Sequence, residues 1–262
     1  HGCTSSLIPG GVAIQTVGYN SQTIAHINLN TITHVDCYGG TTGSLDVLNP
    51  NPIANYTYNW ENINNPGVSV GTGNSIINLP AGFYVLMAQY GDSLSTIPYD
   101  GCTSTDTVEV TESSEIDING VVRDVDCYDN NTGRISVHPN SGGGITGGTP
   151  SYSLQWNPPG TGSGQTVYGL SEGTYTLSVT DINGCLQVDT FVITEPDVLV
   201  ANVTQNGATL TVNVTGGTSA YTYSWRENAN PNQDLQGGTT YMVLNPGTYY
   251  CLVTDDNGCE TM

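Results

Sequence analysis

Positive charge is nearly absent from this sequence: its 262 residues carry 3 Lys and Arg against 23 Asp and Glu, a formal net charge of −20. Phosphate backbones and anionic membrane surfaces demand clustered cations, so nucleic acid is excluded as a partner. Long apolar runs are missing too. None approaches the roughly 18 residues of a membrane-spanning helix, and no membrane insertion is expected. The opening His1-Gly2-Cys3 has neither a basic nor an apolar signal region, so the chain reads as a mature or excised segment. Helix formers are scarce, while Thr, Val, Tyr, Asn and 33 Gly dominate, the palette of short strands and tight turns. The fold class that follows is all-β. Catalytic signatures are lacking as well: there is no Gly-x-Ser-x-Gly, no His-Glu-x-x-His and no phosphate-cradling Gly-x-x-x-x-Gly-Lys. An enzyme is not expected.

What is present is repetition. Leu-x-x-Gly-x-Tyr occurs at Leu79 to Tyr84, Leu170 to Tyr175 and Leu244 to Tyr249. Upstream of each lies an alternating strand ending in Trp60, Trp156 or Trp225, with its large side chains on one face by the period of two. Downstream comes a Gly-Cys turn at Cys102, Cys185 and Cys259, the last two within Asp-x-Asn-Gly-Cys, where Asn-Gly suggests a tight hairpin. Gly2-Cys3 opens the chain in the same phase. Residues 1–24 are therefore expected to finish a preceding repeat, with repeat units at 25–113, 114–196 and 197–262, the last lacking its closing strand. Each unit has the size of a small sandwich, and the short linkers predict a semi-rigid string.

The sequence has 7 Cys, and their use points to an oxidising compartment outside the cell. Cys37 and Cys127 occupy equivalent places before strands. Pairing within units gives Cys37 with Cys102 and Cys127 with Cys185, each closing a loop of about 60 residues worth roughly 4 kcal/mol in the chain-entropy model. In the third unit Cys251, at the inward position held by Leu177 in the second, is expected to pair with Cys259. Cys3 is then left unpaired by truncation. None of His1, His26, His34 and His138 has a spacing suited to metal ligation, so structural disulfides are favoured over a metal site.

The chained motifs, Cys127-x5-Gly133-x-Ile135-x-Val137, then Gly147-Gly148-Thr149-x-x-Tyr152-x3-Trp156, then Leu170-x-x-Gly173-x-Tyr175-x3-Val179-Thr180-Asp181-x-Asn183-Gly184-Cys185, then Thr194-Glu195-Pro196, resemble the SprB-type repeat. That repeat builds the very long cell-surface adhesins of gliding Bacteroidetes, cargo of the type IX secretion system. Unit three matches from Gly216-Gly217-Thr218 to Cys259 but lacks the first Cys. Unit one departs more, with Asn51-Pro52 near the Gly-Gly-Thr position, an insertion from Tyr90 to Tyr99, and Thr111-Glu112-Ser113. The resemblance implies tandem Ig-like or PKD-like β-sandwiches, disulfide-stapled, displayed at the cell surface as a filament for adhesion and gliding motility. Its partners would be external surfaces or polysaccharides, neighbouring repeats of the same chain, and gliding or secretion machinery through parts not present here. A carbohydrate-binding array and passive spacer repeats of a secreted protein are the alternative readings.

Trp60, Trp156 and Trp225 are expected in the cores, with Tyr84, Tyr175 and Tyr249 as tyrosine-corner residues. Tyr19, Tyr38, Tyr90, Tyr99, Tyr128 and Tyr168 lie off the pattern and are better placed for a ligand face. Loop carboxylates suit hard cations, which makes Asp124, Asp126, Asp129, Asp181, Asp255 and Asp256 candidate calcium ligands. The competing reading is that the excess charge keeps a long filament soluble. The resemblance further implies O-glycosylation at Asp-Ser/Thr-apolar sites, which Ser93 and Thr107 fit.

Overall fold

The computed structural model describes residues 6–8, 12–14, 26–48, 56–90 and 103–262, and every described element except one short 3-10 turn, Pro139–Ser141, is a strand. Cys3, Tyr19, Ser93, Tyr99 and Cys102 lie outside the described residues. The chain divides into two compact units. One comprises His1–Ile116, Gly147–Ser151 and Asp181–Cys185, and the other Asp117–Thr146, Tyr152–Thr180 and Leu186–Met262.

In the first unit, His26–Ile27, Gly43–Leu48 and Ser75–Leu79 form one antiparallel sheet, and Ser69–Thr72, Tyr56–Asn62, Gly82–Tyr90 and Thr103–Val110 form the other in that order. Burial alternates along Gly43–Leu48, as a sheet with one face on the core requires. The apolar residues of both inner faces, among them Leu45, Trp60, Tyr84, Leu86 and Val110, make one core. Sheets packed face to face in this way define a β-sandwich.

The second unit holds the sheets of two further repeats. Val121–Arg123, Gly133–Ser136 and Thr166–Leu170 form one sheet, and Ser153–Asn157, Gly173–Thr180 and Leu186–Ile193 the other. The third repeat follows with Val200–Asn206, Thr209–Thr215 and Thr240–Met242, then Thr222–Glu227, Tyr249–Thr254 and Glu260–Thr261. The architecture is all-β and Ig-like.

Each Trp is buried and its indole N–H donates to a glycine carbonyl, Trp60 to Gly73 at 3.1 Å, Trp156 to Gly164 at 3.0 Å and Trp225 to Gly238 at 2.9 Å. A buried indole needs such an acceptor. Each tyrosine of Leu-x-x-Gly-x-Tyr donates its hydroxyl to the carbonyl four residues back: Tyr84 to Pro80, Tyr175 to Ser171 and Tyr249 to Asn245, at 2.8–3.0 Å. That is the tyrosine-corner bond.

The third copy of the motif nevertheless sits differently. Leu79 and Leu170 are 4% and 5% exposed, but Leu244 is 80% exposed. In the first two repeats this leucine lies beside the closing strand: a methyl placed on Gly43 would meet both Leu79 and Val110, and one on Gly133 both Leu170 and Ile193. In the third repeat Glu260–Thr261 pairs only two residues with Tyr249–Thr254, whereas Leu186–Ile193 pairs eight with its neighbour. Among the described residues none takes the place of Ile193 over Leu244.

The Gly-Gly pair has a backbone reason. Gly147 and Gly148 have φ of 75° and 59°, and Gly216 and Gly217 have 70° and 61°, a region that favours glycine. A Cβ on Gly147 would overlap the Glu115 carbonyl oxygen. Gly147→Ala should therefore lose more than the ~1 kcal/mol of a strained φ alone, a cost visible as a lower urea midpoint.

Candidate functional site: a clasp between successive repeats

The disulfides are not where unit-by-unit pairing puts them. Cys37 bonds Cys185 with Cα atoms 5.4 Å apart, and Cys127 bonds Cys259 at 5.7 Å. Each bridge joins a loop of one repeat to the Asp-x-Asn-Gly-Cys turn of the next. Cys251 carries a free, buried thiol, pushed up from its usual pKa chiefly by desolvation. Its side chain follows the inward parity of Tyr249–Thr254 into the core beside Trp225, and Cys259 is bonded to Cys127 instead. The expected pairs Cys37 with Cys102, Cys127 with Cys185 and Cys251 with Cys259 are accordingly replaced.

The receiving loop is built identically twice from the string Val-Asp-Cys-Tyr, at residues 35–38 and 125–128. The Asp36 N–H donates to Thr42 Oγ1 at 2.9 Å, and that of Asp126 to Thr132 Oγ1 at 2.8 Å. Val35 and Val125 donate to the carbonyls of Thr111 and Thr194. The adjoining glutamates accept from the loop, Glu112 from Gly39 N–H at 2.6 Å and Glu195 from Asp129 N–H at 2.7 Å. These are charge-assisted bonds. Gly39 and Asp129 share a positive φ, 68° and 55°, so the turn geometry is common to both. The Thr-Glu that follows each closing strand thus shapes the loop that holds the cysteine.

The inserting turn is organised by one buried carboxylate. Asp181 Oδ1 accepts from the N–H groups of Asn183 and Cys185, both at 2.9 Å, and its Oδ2 from that of Thr149 at 2.8 Å. Asp255 does the same with Asn257, Cys259 and Thr218 at 3.0, 2.8 and 2.8 Å. This ties the Gly-Gly-Thr loop to the cysteine turn. Only Gly184 in that turn has positive φ, and Thr180 pairs with Leu186 across five intervening residues, so the turn is an Asp-capped loop and not a two-residue Asn-Gly hairpin. Asn257 then reaches out, its Nδ2 donating to Thr218 Oγ1 at 3.0 Å and to the Asp126 carbonyl at 2.9 Å. Asn183 makes the corresponding contacts to Thr149 and, at 3.5 Å, to the Asp36 carbonyl.

Four of the six candidate calcium ligands have other partners. Asp181 and Asp255 spend their oxygens on backbone N–H groups, Asp124 accepts from Thr194 N–H at 2.7 Å, and Asp126 pairs with Arg123 at 3.1 Å. Asp129 and Asp256 are exposed in the turns. Among the described residues no three His, Cys, Asp or Glu side chains stand grouped for a metal ion. Thr107 is exposed on Thr103–Val110, its N–H bonded to Asp106 Oδ1. Tyr38, Tyr128 and Tyr168 are exposed, with Arg134 stacked 6.0 Å from the Tyr168 ring centre.

Burial alone would raise the Asp181 carboxyl's pKa, but its backbone N–H donors outweigh that and hold it below the ordinary value. Because the folded value is depressed, Asp181's contribution to stability is complete above the unfolded carboxyl value of about 3.9 and is lost as pH falls through the folded one. Asp181→Ala strands three N–H groups, and at ~1–3 kcal/mol for a buried unsatisfied group it should cost on the order of 3 kcal/mol at neutral pH. The difference between variant and parent in urea melts should shrink on acidification.

The fold and the clasp define a class: tandem Ig-like sandwiches linked covalently from one repeat to the next. Residues 203–230 match the family model of the SprB repeat, so the chain carries a repeat of that type. No curated protein matches the chain. Solved structures give only a distant likeness. Three N-terminal domains of the outer capsid protein Hoc of bacteriophage RB49 are 13% identical with a TM-score of 0.38, covering 88% of this chain and 90% of that one. A C-terminal fragment of intimin, solved with the intimin-binding domain of its translocated receptor, is 14% identical with a TM-score of 0.32, covering 66% and 67%. The ectodomain of mouse nectin-like molecule 4 is 14% identical with a TM-score of 0.29, covering 68% and 65%.

Proposed function

We propose that this chain is a stretch of a cell-surface adhesin filament of the gliding-motility kind, acting mechanically and adhesively and not as a catalyst. The observation that carries this reading is the clasp: a bridge from each of the first two repeats to the next suits a structure that must transmit load along an array. The SprB repeat at residues 203–230 favours a bacterial surface protein, and the disulfides favour an extracellular setting. A formal net charge of −20 keeps neighbouring filaments apart at low ionic strength. The ligands would be external surfaces or polysaccharides, met by exposed tyrosines such as Tyr38, Tyr128 and Tyr168.

The experiment is retention of the purified chain on glass, polystyrene and immobilised polysaccharides, with and without a calcium chelator. Saturable retention that weakens when the three tyrosines are changed to serine supports the adhesive reading. No retention on any surface removes it and leaves a spacer. Loss of retention on chelation would assign calcium a part in binding.

A further inference from the structure

We infer that Cys37–Cys185 and Cys127–Cys259 turn the chain between Cys37 and Cys259 into a covalent network in which three backbone segments run in parallel between two junctions, so that no single break in these segments, nor any two breaks in different segments, can part it. This concerns connectivity and stands whether or not the chain is adhesive.

The inference follows from the order of the cysteines. Cys37–Cys185 and Cys127–Cys259 are interleaved, with sequence separations of 148 and 132. Between the two junctions run residues 38–126, 128–184 and 186–258, whose flanking cysteines are 90, 58 and 74 residues apart. The first segment holds the described strands from Gly43 to Arg123, the second those from Gly133 to Thr180, and the third Leu186–Ile193 with the third repeat's strands from Val200 to Thr254. Bridges confined to single repeats would leave each linker as the sole connection across it. Interleaved bridges leave none.

Two consequences follow. Pulled from its ends, the chain becomes taut when its shortest internal segment, the 58 residues between Cys127 and Cys185, is extended. At about 3.5 Å per residue that limits a chain with Cys3 and Cys102 replaced by serine to about 35 nm, against about 90 nm without bridges. The distance between the junctions is held by three backbone segments at once, so unravelling one of them does not let the junctions part unless the other two follow.

The test uses the full chain with Cys3 and Cys102 changed to serine, since both lie outside the described residues. Recognition sites for a specific protease are placed at Ser113–Ser114, at Ser141–Gly142 and at Pro196–Asp197, singly, in pairs and all together. On unreduced denaturing gels, every singly and doubly cut chain should run as one species. The triply cut chain should part into two, one holding Cys37 and Cys185, the other Cys127 and Cys259. With dithiothreitol, which reduces each bridge to two thiols, all fragments should separate. Release of a free fragment from the chain cut only at Ser113–Ser114 would overturn the inference. Force-extension of the uncut chain gives an independent reading: an extension limit that rises about 2.5-fold on reduction is expected, and an unchanged limit would contradict the network.

Discussion

A chain in which Cys37 and Cys185 are both serine will lose about 5 kcal/mol of stability relative to the oxidised parent, the loop-closure entropy of a cross-link whose cysteines are 148 residues apart. The bridge does its work on the unfolded chain, by denying it the conformations in which the first repeat and the turn of the second drift apart. In the folded chain its removal leaves the Val-Asp-Cys-Tyr loop still held by Thr42 and Glu112. The turn also stays ordered by Asp181. The variant should therefore keep its strands by circular dichroism while its urea midpoint falls. Cys102→Ser offers the contrast: its stability effect should be separate from that of the Cys37 and Cys185 pair and additive with it, because Cys102 is not a partner of Cys37.

The second large effect is expected at Trp225. Its indole is buried in a core of five buried side chains, Leu210, Val212, Trp225, Cys251 and Val253, with seven partly buried ones packed against them, where the first repeat has thirteen and three among the described residues. Trp→Ala in a core costs about 3–5 kcal/mol, and here it also leaves the Gly238 carbonyl without its donor. So small a core has little reserve, and Trp225→Ala should unfold the third repeat at room temperature. Trp60→Ala carries a similar cost but falls on the larger core, so the first repeat should weaken and remain folded. Hydrogen exchange, followed repeat by repeat, separates the two outcomes.

Much of the sandwich was legible from period and spacing. The Trp of each alternating strand and the Tyr of each Leu-x-x-Gly-x-Tyr are the residues whose hydrogen bonds the fold repeats, because a ring that must be buried with its polar tip satisfied tolerates few positions. Leu244 shows where the pattern stopped being sufficient: the motif is intact, but burial depends on a closing strand elsewhere in the sequence. The cysteines show the same limit more sharply. Spacing favours the shortest loops, and a loop of about 60 residues looks better than one more than twice as long. Yet closure entropy grows only with the logarithm of length, so proximity in the fold decides, and proximity here comes from the turn of the following repeat. A signal was available. Val-Asp-Cys-Tyr recurs verbatim at 35 and 125, each followed by Thr-Gly, and is missing from the third repeat, which instead turns between Asn206 and Thr209. Two receiving loops call for two inserting turns downstream of them. Cys251 stood on an inward-facing position from the start, and an inward side chain is poorly placed to reach a turn.

The Asp of Asp-x-Asn-Gly-Cys is the other lesson. As a carboxylate in a loop it invited a cation, but a short acidic side chain followed by a turn also makes the best acceptor for that turn's own N–H groups. Asp181 and Asp255 each receive three.

The most direct measurement of the account is cysteine mapping. The unreduced chain, digested with pepsin at acid pH to prevent thiol exchange, should yield by mass spectrometry a peptide containing Cys37 joined to one containing Cys185. Cys127 should be joined to Cys259, and Cys251 recovered as a free thiol. Recovery of Cys37 joined to Cys102, or of Cys127 joined to Cys185, would place the bridges within repeats and contradict the clasp.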